Sequence, residues 1–167
     1  MAVRETAAGA LGDWSHARSQ ASGAAIQRLL DAGRFAEAVA IAEGVVTEGL
    51  AAGEQAYPKA PYDLALAHLV LGRALQESGA ASASLEPLQE ARHRFQALAD
   101  ASNRAAAVMV AAALAEVGDS LRGLGRLDEA ARAYQQSIQR AEQTEDPRGS
   151  AVGRGQLGSV RLLQGEY

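Results

Sequence analysis

The sequence contains no cysteine, and only 4% of its residues are aromatic. The absence of cysteine excludes a disulfide framework, a thiolate zinc site and a cysteine nucleophile. With so few aromatic side chains, a folded core must be filled by Leu, Ala and Val, with helices close together where Ala and Gly face each other. We therefore expect an intracellular protein whose thin core gains stability from stacked units.

Basic clusters and long hydrophobic runs are also missing. The formal net charge of -4 and the pI of about 5.4 give no basic footprint for a phosphate backbone. No segment approaches the roughly 20 apolar residues of a membrane span, and Met1 to Gly12 lack the apolar centre of a signal peptide. We expect a cytoplasmic protein that binds neither nucleic acid nor membrane. Lys59 is the only lysine, a compositional bias typical of a GC-rich, bacterial genome.

Alanine is the commonest residue, whereas Val, Ile and Thr are sparse. Alanine loses no side-chain entropy in a helix and β-branched residues lose some, so this composition favours helices. The 167 residues, 48% of them hydrophobic, suffice for one globular domain or a short solenoid. The sequence therefore predicts an all-α protein.

Three glycines open similar turns at a constant spacing: Gly33, Gly79 and Gly125 are separated by 79−33 = 46 and 125−79 = 46 residues. Seven residues before two of these glycines stands an apolar-Gly pair, Leu71-Gly72 and Val117-Gly118. A further pair, Leu157-Gly158, precedes Gly165. A repeat of this length predicts one antiparallel helical hairpin per unit.

The repeat divides the chain into five segments within a single domain, 1–167. Residues 1–21 form an irregular N-terminal segment and helix start, 22–52 the first repeat, 61–99 the second, 103–144 the third, and 147–167 the first helix of a truncated fourth repeat. We interpret the chain as a fragment of a longer array. The apolar side of its last helix should then be exposed and mediate self-association, through Val152, Leu157, Val160, Leu162 and Leu163.

The third unit resembles the tetratricopeptide repeat (TPR) family most clearly, because it carries Val117-Gly118, Leu121, Gly125, Ala130 and Tyr134 in the family's order. The period of 46 exceeds the family's 34, which implies longer second helices, similar to the extended repeats of kinesin light chains and bacterial signalling proteins. HEAT or armadillo repeats, with periods of about 40 to 47, remain an alternative. The resemblance implies a right-handed superhelical solenoid of antiparallel helix hairpins.

In this family the first helix of each hairpin lines a concave face. The resemblance places Leu66, Leu69, Arg73, Gln76 and Glu77 there in the second unit, and adding 46 gives Ala112, Ala115, Asp119, Arg122 and Gly123 in the third. Our candidate binding residues are Leu69, Arg73, Gln76, Glu77, Asp119 and Arg122. The alternative is that these are ordinary solvated side chains. The family's chaperone-tail clamp needs polar groups where Leu69 and Ala115 stand, so we expect no binding of acidic chaperone tails.

No motif predicts catalysis. Gly153 to Gly158 match the letters of a dinucleotide fingerprint, but they lie inside a predicted helix without the preceding strand that such a site requires. His16, His68 and His93 lack metal-ligand spacing, and His68 occupies a position where the family packs an aromatic residue. We expect no enzyme activity, no metal and no cofactor.

Two functional hypotheses follow. In the first, the chain is a non-catalytic protein-protein interaction scaffold that binds a peptide or helix of another protein on its concave face. In the second, it is a regulatory or sensor segment of a larger bacterial signalling protein, with an ATPase, protease or transcription-factor domain elsewhere.

Overall fold

The computed structural model describes residues 14–165, and this range contains seven α-helices and no strand. The all-α prediction is confirmed. Residues 1–13 of the predicted N-terminal segment lie outside the described residues, and α1 begins at His16, ahead of the first repeat predicted from residue 22. In chain order the helices are α1 His16–Asp31, α2 Phe35–Ala52, α3 Ala60–Glu77, α4 Ala81–Asp100, α5 Arg104–Gly123, α6 Leu127–Gln143 and α7 Pro147–Leu163.

Local sequence fixes where the helices start and stop. The Asn103 side chain accepts from the backbone N–H of Ala106 at 2.9 Å, and Asp146 accepts from that of Gly149 at 3.0 Å, so both act as N-caps. The three evenly spaced glycines have positive φ angles of 71°, 86° and 72°. At each of them the residue after the glycine donates a backbone hydrogen bond to the carbonyl five residues earlier, as in Arg126 to Leu121 at 2.9 Å. This Schellman arrangement ends the first helix of each hairpin.

Every helix packs against the next one in the chain, which gives the hairpins α1/α2, α3/α4 and α5/α6, followed by α7. The first helices of successive units, α1, α3, α5 and α7, also contact one another. The second helices do not: within the described residues no Cα of α2 lies within 8 Å of α4, and none of α4 within 8 Å of α6. The array therefore curves, with the first helices on its inner side and the second helices splayed outside.

The apolar-Gly pairs explain how each hairpin closes. The fully buried Leu88 of α4 lies against Gly72 of α3, and the buried ring of Tyr134 in α6 lies against Gly118 of α5. A Cβ built at Gly118 would stand 2.5 Å from the Tyr134 ring, so only glycine allows this approach. Gly158 of α7 has nothing within 4 Å of such a Cβ, because no second helix packs there among the described residues.

A buried carboxylate attaches α1 to the next hairpin. Asp63, at the start of α3, is 2% exposed. Its Oδ2 lies 2.8 Å from Nδ1 of His16 and accepts a hydrogen bond from the Tyr57 hydroxyl at 2.7 Å. The long connector between α2 and α3 thus packs against its own hairpin.

The last helix is less exposed than the sequence predicted. Val152, Leu162 and Leu163 are 52%, 62% and 63% exposed. Leu157 and Val160, however, are 8% and 0% exposed, and both belong to the core formed with α5 and α6. Their inclusion in the exposed face was wrong, because α7 buries one side against the preceding hairpin.

Candidate binding groove

A groove of about 330 Å³ runs along the inner side of the array, between α3, α5 and α7. Its apolar surface comes from Val108, Ala112, Ala115 and Val152, and its charged groups are Arg73, Glu116, Asp119, Asp146 and Arg148. The small alanine side chains of α5 leave room for the groove, and helices α3, α5 and α7 form its walls. We call this surface the concave groove.

The best-defined polar contact of the groove joins α3 to α5. Nε of Arg73 donates to Oε1 of Glu116 at 2.5 Å, and the Glu116 side chain is 17% exposed whereas that of Arg73 is 46% exposed. Burial raises the pKa of Glu116 above its usual range, and Arg73 opposes this shift without cancelling it. The carboxylate is thus held partly out of water, where a further hydrogen-bond donor would stabilise its charge.

Asp119 is the second fixed carboxylate. It accepts from the Tyr134 hydroxyl at 2.6 Å and from Nε2 of Gln156 at 3.0 Å, and Arg122 approaches it at 3.2 Å. These bonds link α5 to both α6 and α7. Gln156 still has a buried Oε1 with no partner, so the groove retains an unused acceptor.

A third contact involves Gln76, which the sequence predicted to bind a ligand. Gln76 donates through Nε2 to the Glu116 carbonyl at 2.7 Å and to Oγ of Ser120 at 2.6 Å. Ser120 is in turn 2.6 Å from the buried Ser84 hydroxyl. Gln76 therefore ties the second repeat to the third and does not line the groove.

The structure brings together only part of the predicted set. Arg73 and Asp119 line the concave groove. Glu77 is exposed at the end of α3, and Arg122, 37% exposed, lies beside Asp119 without lining the groove. The prediction that Leu69 contacts a ligand was wrong. Its side chain is 0% exposed within the core formed with α4 and α5, where no ligand can reach it.

The sequence-based prediction missed Glu116, Gln156 and Arg148, which also line the concave groove. Glu116 and Gln156 each stand directly before an apolar-Gly pair, Val117-Gly118 and Leu157-Gly158. Aligning the repeats on these pairs, with the offset 157−117 = 40 for the last copy, puts both residues at one position of the repeat. The sequence thus contained this signal, but the predicted set of binding residues left out the position before each apolar-Gly pair.

Within residues 14–165 no group of three or more His, Asp or Glu side chains is arranged to hold a metal ion. None of the helices described there is long and apolar enough to cross a membrane.

Comparison with known proteins supports the repeat interpretation. Residues 110–148, most of the third hairpin and its exit, match the sequence model of the tetratricopeptide repeat. No curated protein matches the chain.

Two solved structures have the same fold. Both contain the nearly identical TPR-like repeats of a Podosopora anserina protein assigned as a kinesin light chain, and one of them carries a methionine substitution. The first is 18% identical, with a TM-score of 0.71 over 89% of this chain and 68% of the other. The substituted protein is 16% identical, with a TM-score of 0.72 over 92% and 70%. At such low identity the likeness concerns the fold, and it favours the tetratricopeptide interpretation over HEAT or armadillo repeats. The chain therefore has an all-α helical-repeat fold like that of these TPR-like structures, and its residues 110–148 match the tetratricopeptide repeat model.

Proposed function

We propose that this protein is a non-catalytic interaction scaffold whose concave groove binds a peptide or helix of another protein. TPR-like repeats commonly act as protein-interaction scaffolds. The observation that supports the proposal most strongly is the groove itself, in which an apolar floor is bordered by carboxylates already fixed by contacts between repeats. Side chains held in place before binding lose little entropy when the ligand arrives.

The polar groups of the groove suit a ligand with both apolar and hydrogen-bonding side chains. Ala112, Ala115 and Val152 offer apolar contact, whereas Glu116 and the free Oε1 of Gln156 accept hydrogen bonds. Ala115 provides no polar clamp for a terminal carboxylate, and Leu69 is buried. We therefore retain the prediction that acidic chaperone tails do not bind.

A displayed peptide library selected on the whole chain tests the proposal. Ala112→Arg would place a guanidinium in the middle of the groove, and Gln136→Arg adds the same charge on an exposed site of α6. We expect selected peptides to bind the wild type and the Gln136→Arg control equally and to lose at least about tenfold in affinity for Ala112→Arg. Peptides that bind both variants equally would place the site elsewhere, and circular dichroism checks that both variants fold.

The regulatory hypothesis differs in where the ligand comes from. The same groove would hold a segment of a larger bacterial signalling protein that contains these repeats, and the protein would act in the cytoplasm. Sequencing the complete reading frame and fractionating cells test this version. An adjoining effector domain would favour it, whereas a frame containing only repeats would favour the separate scaffold.

We further propose that copies associate through the exposed residues of α7. Leu162 and Leu163 are the most exposed large apolar side chains of the described chain. Sedimentation velocity of the wild type and of Leu162→Ser/Leu163→Ser tests this. A wild-type protein that stays monomeric at high concentration contradicts the proposal.

A further inference from the structure

A second cavity, of about 530 Å³, lies on the outer side of the array between the splayed helices α2 and α4, with α3 as its floor. It shares no residue with the concave groove. We call it the outer cleft. Its apolar lining consists of Val46, Leu50, Leu71, Leu75, Ala83 and Pro87, and its polar lining of Glu43, His68, Glu86, Glu90 and Arg94.

His68 is an unsatisfied polar group at the floor of the outer cleft. The residue is 8% exposed, and its Nε2 has no hydrogen-bond partner. Burial, followed by the nearby charge of Arg94, lowers the pKa of His68, so the ring is neutral at pH 7. A buried polar atom without a partner destabilises the fold. A ligand in the cleft that hydrogen-bonds to this nitrogen would remove that cost.

Pro87 interrupts the backbone hydrogen bonding of α4 beside the outer cleft. Pro87 lies inside this helix and has no N–H, so the carbonyl of Ala83 loses its usual donor four residues on. Both residues line the outer cleft. The cleft thus combines a buried side-chain nitrogen without a partner on α3 with a break in the helical hydrogen bonding of α4.

The charge of the lining is strongly one-sided. Three glutamates face one arginine, a formal sum of −3 + 1 = −2. Arg94 is already engaged, since it lies 2.7 Å from Glu90 and 2.8 Å from Glu54. Within the described residues Glu43 and Glu86 have no ion-pair partner and are both exposed at the rim. Their charges are available to a basic ligand.

The next repeat provides an internal comparison, because adding 46 to each lining position gives the corresponding site between α4 and α6. Leu114, 6% exposed, stands in place of His68, and Ala133 in place of Pro87. The charged equivalents are Arg92, Glu129, Arg132 and Arg140, a formal sum of +3 − 1 = +2. Neither the free histidine nor the acidic rim is required by the fold, so both are particular to the outer cleft.

We propose that the outer cleft binds a basic amphipathic segment of a partner protein. The apolar side chains of the segment pack on Val46, Leu50 and Leu71, as when an amphipathic helix fills a hydrophobic groove. Its Lys or Arg side chains pair with Glu43 and Glu86, and a polar group hydrogen-bonds to Nε2 of His68. This site acts on the face opposite the concave groove and does not depend on the function proposed for that groove.

The test uses a fluorescent synthetic helix of about 18 leucine and lysine residues, long enough to follow α3, and an otherwise identical peptide with glutamate for lysine. Fluorescence anisotropy with the whole chain should show binding of the lysine peptide and none of the glutamate peptide. Histidine NMR locates the contact, since the protein has three histidines. We expect the imidazole signals of His68 to shift on titration while those of His16 and His93 stay unchanged. Binding that leaves the His68 signals unmoved overturns the proposal.

Variants give an independent readout. Glu43→Gln/Glu86→Gln should weaken binding of the lysine peptide by about two- to tenfold at moderate salt. The matched control Asp31→Asn/Glu142→Gln changes the net charge equally at exposed positions outside the cleft, and should bind as the wild type does.

His68→Leu introduces the residue that the next repeat has at this position, so the fold tolerates it. We expect about two- to tenfold weaker binding from the lost hydrogen bond. Equal binding by the charge pair and its control, or by His68→Leu and the wild type, refutes the site.

Discussion

Replacing the glycine of the apolar-Gly pair with alanine should have opposite effects in two copies of the repeat. At Gly118 the new Cβ would lie 2.5 and 2.8 Å from Cε1 and Cδ1 of the Tyr134 ring. The ring is fully buried, and its hydroxyl donates to Asp119 at 2.6 Å, so it cannot move aside freely. At Gly158 a Cβ meets nothing within 4 Å.

The magnitudes follow from these surroundings. Alanine in place of glycine inside a helix contributes about 0.5–1 kcal/mol, and this is the whole expected effect of Gly158→Ala. At Gly118 the same gain is opposed by an overpacking cost of about 1–3 kcal/mol. A displaced ring would also weaken the hydrogen bond to Asp119, by about 1–2 kcal/mol. We therefore expect Gly118→Ala to lower the free energy of unfolding by about 1–4 kcal/mol and Gly158→Ala to raise it slightly.

Urea unfolding followed by circular dichroism measures both variants against the wild type. Because repeats can unfold separately, hydrogen exchange of α5 and α6 should accompany the measurement, with loss of protection expected there for Gly118→Ala. The corresponding change in Tm is about 2–4 °C per kcal/mol for a chain of this size. A Gly118→Ala protein as stable as the wild type would refute the argument that this close approach requires glycine.

Three further predictions concern polar contacts. Asp63→Ala removes the acceptor shared by His16 and Tyr57, so α1 should lose hydrogen-exchange protection while α5 keeps it; uniform protection would contradict the attachment of α1 through Asp63. Burial, reinforced by hydrogen bonding to a carboxylate, raises the pKa of Tyr57 and Tyr134. The unfolded chain therefore releases these protons first, near pH 10, and stability should fall as pH rises above that value, which tyrosinate absorbance and urea titrations can check. Ser120→Ala removes two side-chain hydrogen bonds, so that Gln76 and Ser84 keep only their bonds to backbone carbonyls, and we expect a loss of about 1–3 kcal/mol by urea denaturation; a loss below about 0.5 kcal/mol would show that this network contributes little.

Much of the fold could be predicted because its signals are local. The glycine at position 125 ends a helix through its own backbone conformation, and Asn103 and Asp146 cap helices through hydrogen bonds three residues away. The 46-residue spacing of the glycines gave the number of hairpins without any knowledge of their packing. The second repeat, placed at 61–99 from the sequence, contains the helices Ala60–Glu77 and Ala81–Asp100.

The candidate site was predicted less well, because helical periodicity does not say which of several packed faces remains open. A first helix contacts its hairpin partner, the preceding second helix and the neighbouring first helices, so Leu69 is buried although Ala115, its equivalent, lines the groove. The sequence by itself determined the helices, their turns and the glycine contacts, since these depend on neighbouring residues and on the repeat. Only the tertiary structure decided which carboxylates share the concave groove and that His68 lies unpaired in the outer cleft, because both depend on how far apart the curved array holds its helices.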